Sequence, residues 1–196
     1  MTLAAIVLAA GSGSRFGGGK LLAPFEGGVL LDGALRAAFA APADQVFVAT
    51  GEDAAAVAAA AEAFAHGRGE GARLRLVHAA DHATGMAASL KAGVRALSDA
   101  VDAAFVFLGD MPRIPLDIPT RLADALGEHA AAAPVFAGRR GHPVLFSRRL
   151  FPALCALEGD QGARRVLEGL GADLVAVPAE DAGVLFDVDR PGDLHR

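Results

Sequence analysis

AIVLAAGSGSRFGGGKLLAPF, from Ala5 to Phe25, begins as an apolar run and then turns abruptly to glycine. Gly11, Gly13, Gly17, Gly18 and Gly19 fall within nine residues, and the only charged side chains in the stretch are Arg15 and Lys20. A short apolar run that ends in glycine reads as a buried strand of a parallel sheet giving way to a ligand-binding loop. Glycines let backbone N–H groups approach an anion closely, and two cations five residues apart can neutralise one. The stretch therefore points to a phosphate-binding loop. Read alone, the same residues also fit a glycine turn with two solvated cations.

Outward from this loop, the chain alternates short apolar runs with helical patterns. Residues 4–10, 45–51, 73–79 and 103–110 read as strands buried on both faces. Residues 29–41, 54–65, 86–97 and 119–130 read as helices between and after them. That rhythm predicts an α/β fold, a three-layer α/β/α Rossmann-like domain with a mostly parallel central sheet. Right-handed crossovers then gather the loops after each strand along one edge, where ligands bind. The second half breaks the rhythm. Residues 133–138 and 142–147 read as a strand pair about Arg139-Arg140-Gly141, followed by helical patterns at 148–157 and 163–170 and two last strands, LVAVPA and GVLFDVDRP. No linker or repeat interrupts the chain, so residues 1–196 read as one domain, with halves at about 1–112 and 113–196.

Composition narrows the function. The net charge is −5, and Trp and Tyr are absent. A chain without a basic field or a series of stacking rings is not expected to bind nucleic acid. One cysteine, Cys155, permits no internal disulfide and no paired-cysteine metal site. No apolar stretch reaches the length of a membrane span, and no leader pattern precedes the first strand, so a cytoplasmic protein without a membrane partner is expected.

Two familiar loops fail to fit the glycine stretch. The dinucleotide fingerprint begun at Gly11 has Phe16 where its third glycine belongs. The P-loop pattern has Ser14 for its first glycine and Leu21 where a hydroxyl should ligate Mg²⁺. What remains suits a triphosphate whose β and γ groups leave as pyrophosphate, with Arg15 and Lys20 offsetting the charge that builds there. Asp110 ends the apolar run VFLGD and so emerges at the ligand edge, where a carboxylate suits Mg²⁺ beside phosphate oxygens; a strand-end Asp can equally cap a turn. Asp187 and Asp189 alternate about Val188 and so share a face, which fits either a cation site or a solvated edge strand.

Six segments together carry a family resemblance. LAAGSGSRFGGGKLL (8–22), TGMAASLKAG (84–93), FLGDMP (107–112), GRRGHPVLF (138–146), GDQGARRVL (159–167) and FDVDRPGDL (186–194) occur in one order along nearly the whole chain. In that order they resemble the MobA-like nucleotidyltransferases, above all the molybdenum-cofactor cytidylyltransferases. The stretch Glu26–Leu31 lacks a proline common in that family, and Arg190 and Gly192 replace its Thr and Glu.

The resemblance implies transfer of CMP from CTP (or another NTP) to the terminal phosphate of the molybdopterin cofactor, with Mg²⁺ and release of pyrophosphate. It assigns catalysis to Arg15, Lys20 and Asp110, and the metal to Asp110, Asp187 and Asp189. It assigns the nucleotide to Leu8, Ala9, Ala10, Gly11, Ser12, Gly13, Arg15, Lys20, Gly85 and Ser89. The acceptor falls to Arg139, Arg140, His142, Asp160, Gln161 and Arg164. Ala10, where a guanylyl enzyme tends to have glycine, leans the reading toward CTP. The alternatives are a GTP-using or a sugar- or polyol-phosphate transferase of the same fold, and a silent carrier that hands the cofactor to an apo-molybdoenzyme.

Overall fold

In the computed structural model, which describes residues 1–11, 13–159 and 162–195, the first strand is β1 (Leu3–Ala9). A small ribbon, β2 (Pro24–Phe25) and β3 (Gly28–Val29), precedes α1 (Leu30–Ala40). Then follow β4 (Gln45–Thr50), α2 (Ala54–Gly67), β5 (Leu74–His78), α3 (Met86–Arg95) and β6 (Ala103–Leu108). The second half holds α4 (Ile118–Leu126), β7 (Ala131–Phe136), β8 (Arg139–Arg140) and β9 (Val144–Ser147). Two five-residue helices, α5 (Phe151–Cys155) and α6 (Arg164–Glu168), lead to β10 (Leu174–Pro178).

One sheet runs through both halves in the order β10-β7-β9-β6-β1-β4-β5, with β8 added beside β7. β6, β1, β4 and β5 are parallel neighbours, and so are β7 and β10; β8 and β9 run against their neighbours. The chain steps from β1 out to β4 and β5, then returns to place β6 on the other side of β1. The order therefore reverses between β1 and β6, and loops that leave such a point in opposite directions open a crevice at the strands' carboxyl ends. The glycine loop leaves one of these strands and Asp110 the other.

Period-two alternation divides the core into two. Leu3, Ala5, Val7 and Ala9 of β1 and Phe105 and Phe107 of β6 face α1, α2 and α4. Ala4, Ile6, Ala104 and Val106 face α3, α5 and α6. Phe105 and Phe107 are fully buried, each removal from water contributing roughly 1.5–3 kcal/mol. Small residues let the layers close: a Cβ on Gly93 of α3 would run into the Ile6 side chain of β1.

Three details depart from the sequence expectation. GVLFDVDRP is not a strand: Ala182–Leu185 is a 3-10 turn, and residues 186–189 cross the sheet's end without joining it. Its alternation of apolar and acidic residues copies a strand pattern, but the contact that sets it is a backbone bond from Val188 N–H to the Asp110 carbonyl, 3.0 Å. The reversal after β7 falls at Ala137-Gly138, one step before the expected turn, so that Arg139 and Arg140 form the returning strand β8. The stretch from Glu26, where a proline was missed, is a two-residue hairpin turn with positive φ at Glu26 (47°) and Gly27 (84°).

Candidate active site

Two cavities meet at the crevice. The first, about 530 Å³, is lined by Leu8, Ala10, Gly11 and Gly13 from β1 and its loop, by Lys20, and by Asp110. Gly85 and Ser89 at the start of α3 close its other side. The second, about 500 Å³, is lined by Arg139, Arg140, His142 and Arg164 over an apolar floor that includes Val106, Val144 and Phe146. Leu8, Met86 and Leu108 wall both. Of the residues singled out from sequence, Ala9 is buried behind the first cavity. Ser12, Asp160 and Gln161 lie outside the described residues.

Backbone geometry explains why glycine stands where it does. Gly13 has φ +58°, and a Cβ on it would lie 2.9 Å from the Lys20 Cβ, so the loop folds back on the lysine that ends it. Gly85 takes φ 121° and ψ 178°, a region essentially reserved for glycine, at the N-terminal cap of α3. Ala10 both lines the first cavity and packs against the neighbouring loop. It is 3% exposed, and Gly51 packs so closely on it that a Cβ there would meet Ala10 atoms. The Ala10 carbonyl and methyl together leave no room for a side chain at Gly51.

The two cations of the loop are both held by carboxylates. Lys20 Nζ lies 2.6 Å from Asp110 Oδ2 and 3.9 Å from Asp189 Oδ1, with its side chain only 13% exposed. Arg15, 75% exposed, reaches Asp189 Oδ2 at 3.4 Å. Partial burial, then Asp189 and Asp110, push the Asp187 carboxyl above the ordinary range. Burial lowers the His142 imidazole below its ordinary value against opposing pulls from the Val106 backbone and Asp110, and its buried Nδ1 has no hydrogen-bond partner among the described residues.

These carboxylates test the fit of a divalent cation. Among the described residues no three His, Cys, Asp or Glu side chains converge into a preformed cage. Mg²⁺ does not need one, since it binds through one or two carboxylates with phosphate oxygens and water. Asp110 and Asp189, sharing a buried ammonium beside a third carboxylate whose charge is disfavoured, form an oxygen donor set of that kind.

Glu52, His82, Ala83 and Met86 also line the first cavity and were not singled out from sequence. A signal for Glu52 and His82 existed. Both follow strands of the parallel set, β4 and β5, so the rule that places Asp110 at the ligand edge places them there too.

A doubly wound sheet with a glycine loop and a strand-end aspartate at its switch point defines a phosphate-handling α/β enzyme. Residues 5–177 match the MobA-like NTP transferase domain, and the chain belongs to that family of nucleotidyltransferases. The purine catabolism protein PucB of Bacillus subtilis is 33% identical over 192 residues, covering 96% of this chain and 92% of its own. The molybdenum cofactor cytidylyltransferase of Escherichia coli is 29% identical over 189 residues, covering 96% and 91%. Among solved structures, Rv0371c of Mycobacterium tuberculosis superposes with TM-score 0.85 at 26% identity, covering 100% of this chain and 97% of that one. The same mycobacterial protein has been solved in complex with manganese, at TM-score 0.81 with the same identity and coverage. The substrate is accordingly a nucleoside triphosphate. No helix among the described residues is long and apolar enough to cross a membrane.

Proposed function

We propose that the chain transfers CMP from CTP to the terminal phosphate of molybdopterin. The observation that carries the reading is the pair of cavities sharing Leu8, Met86 and Leu108, one with the glycine loop, Lys20 and Asp110, the other with three arginines. The E. coli relative, a molybdenum cofactor cytidylyltransferase, supports the choice of substrates. An oxygen of the acceptor phosphate attacks the α-phosphorus of CTP, and the bond from that phosphorus to the α,β-bridging oxygen breaks, releasing pyrophosphate.

In this reading the backbone at Gly11 and Gly13 and the Lys20 ammonium hold the triphosphate, with Arg15 at the solvent side of the departing pyrophosphate. Ser89, 4% exposed on α3, and Gly85 flank the ribose and base. Arg139, Arg140 and Arg164 draw the acceptor's phosphate toward the shared wall, while the neutral His142 ring offers an uncharged nitrogen deeper in the second cavity. Asp110, with Asp187 or Asp189, would hold Mg²⁺, which would neutralise negative charge forming on the phosphates. No covalent enzyme intermediate is required, so catalysis rests on in-line positioning and electrostatics.

Pyrophosphate release measured with each of the four nucleotides, with and without molybdopterin, tests the reading. Release that needs molybdopterin and favours CTP over GTP by about tenfold to a hundredfold supports it. Equal or faster release with GTP removes the CTP assignment, and release with a sugar or polyol phosphate in place of molybdopterin removes the acceptor. Binding of molybdopterin without any release would make the chain a carrier.

A further inference from the structure

Arg113 stands three residues beyond Asp110 and belongs to none of the residues assigned above. Its guanidinium carbon lies 4.5 Å from the centre of the Phe186 ring and 5.5 Å from that of Phe25. Its Nε donates to Glu26 Oε1 at 3.2 Å. Phe186 immediately precedes Asp187. Phe25 and Val188, with Leu30, form a small core apart from the two large ones, and Phe16 of the glycine loop and Phe186 pack against it. One cluster thus gathers the glycine loop, the β2–β3 hairpin and the segment that carries Asp187 and Asp189, and Arg113 rests on two of its rings.

That segment needs holding. It is not part of the sheet, and it brings Asp187 and Asp189 toward Asp110, where Arg15 and Lys20 pair with Asp189. Backbone contacts tie it down on both sides of Phe186. Val188 N–H donates to the Asp110 carbonyl at 3.0 Å, His142 N–H donates to the Val184 carbonyl at 2.9 Å, and Gly183 packs so tightly on the Arg113 carbonyl that a Cβ would not fit. Between these anchors the Phe186 ring lies against the Arg113 guanidinium. A guanidinium suits the task because it is planar, permanently charged and stacks on aromatic faces. With Glu26 as its partner, Arg113 supplies position rather than field to the carboxylates beyond.

We propose that Arg113 is a positioning residue that holds the Asp187–Asp189 segment against the Asp110 loop by stacking on Phe186 and Phe25. The inference rests on the metal reading given under Proposed function. It carries a consequence that a general contribution to stability does not. Loss of Arg113 should weaken the metal in the presence of nucleotide while leaving nucleotide binding without metal nearly unchanged. Changes to groups that orient metal ligands typically cost about 10–100-fold in metal affinity.

Free Mn²⁺, followed by its electron paramagnetic resonance signal during titration of the full chain with CTP present, reads the affinity directly. CTP binding in EDTA, measured by calorimetry, supplies the second axis. The variants are Arg113→Ala, Arg113→Lys and Phe186→Leu, the last keeping an apolar side chain should loss of Arg113 prevent folding. The expected result is about tenfold weaker Mn²⁺ binding for Arg113→Ala and Phe186→Leu, with CTP affinity in EDTA within about twofold of wild type. Arg113→Lys, charged but without the stacking plane, should stay impaired. Unchanged Mn²⁺ affinity in Arg113→Ala or Phe186→Leu, an equal loss of CTP affinity in EDTA, or full rescue by Arg113→Lys would overturn the proposal. If wild type itself binds no Mn²⁺ with CTP, the metal reading falls and the inference falls with it; a normal wild type beside unaffected variants removes the inference alone.

Discussion

At the scale of single residues, the contact that matters most is Lys20 to Asp110, 2.6 Å apart with the lysine nearly buried. A cation of the glycine loop and a strand-end carboxylate neutralise each other there. Asp110→Ala should leave the fold intact, because it removes a carboxylate at the mouth of a cavity rather than core packing. Loss of a metal that stabilises developing charge should lower kcat on the order of a thousandfold, about 4 kcal/mol. A loss below about tenfold at saturating metal and CTP would place the ion elsewhere. His142 supplies a pH signature. Its folded-state pKa lies below the ordinary 6.5, so stability from its neutral form is present above that value and lost as pH falls toward the lowered one. Between pH ~7.5 and ~5.5 the Tm of wild type should therefore fall more steeply than that of His142→Gln, which has no such proton to take up. Parallel curves would show that the imidazole protonates freely in the folded chain.

At the scale of elements, the glycine loop and the lysine that ends it act as one piece. An L-residue in the left-handed region costs about 1–2 kcal/mol, and the methyl of Gly13→Ala would also crowd the Lys20 Cβ. The expected outcome is a raised KM for the nucleotide with a smaller effect on the KM for the acceptor, since Gly13 and Lys20 line only the first of the two cavities. Steady-state kinetics with each substrate varied in turn distinguishes this from a uniform loss. The strands β1, β4 and β6 were legible because they are apolar on both faces and bounded by glycine or charge, whereas β5, read as buried on both faces, is an edge strand with no fully buried residue. The last segment was not legible. Phe186 and Val188 alternate with Asp187 and Asp189 as they would in a strand, but the apolar pair fills a small core shared with Phe16 and Phe25. Alternation reports that successive side chains face opposite ways, and says nothing about whether a neighbouring strand is there to pair.

At the scale of the whole molecule, two cavities on one sheet edge should behave as separable halves of a site. Arg139 on β8 is exposed and lines only the second. Arg139→Ala should therefore raise the acceptor KM while leaving nucleotide affinity nearly unchanged, the pattern of binding lost to one substrate only. Weakened CTP binding with an unaltered acceptor KM would put β8 on the wrong side. The sheet that makes this division runs through both halves, β9 joining β6 to β7.

Local chemistry made part of this visible in the sequence alone. Apolar runs ending in glycine or aspartate determined a parallel sheet, and the glycines with Arg15 and Lys20 pointed to a loop for phosphate. The resemblance, not the spacing, singled out Arg139, Arg140 and His142 as a second group, without saying where it stood. Only the tertiary structure decided which of these groups meet. It set Lys20 on Asp110, brought Glu52 and His82 into the first cavity, turned the Ala10 methyl toward Gly51, and drew the last segment across the sheet to Arg113. The physical reason is that each of these contacts closes a long loop of chain, and its partner is chosen by packing and by charge pairing. Neither is written in the neighbourhood of any one residue.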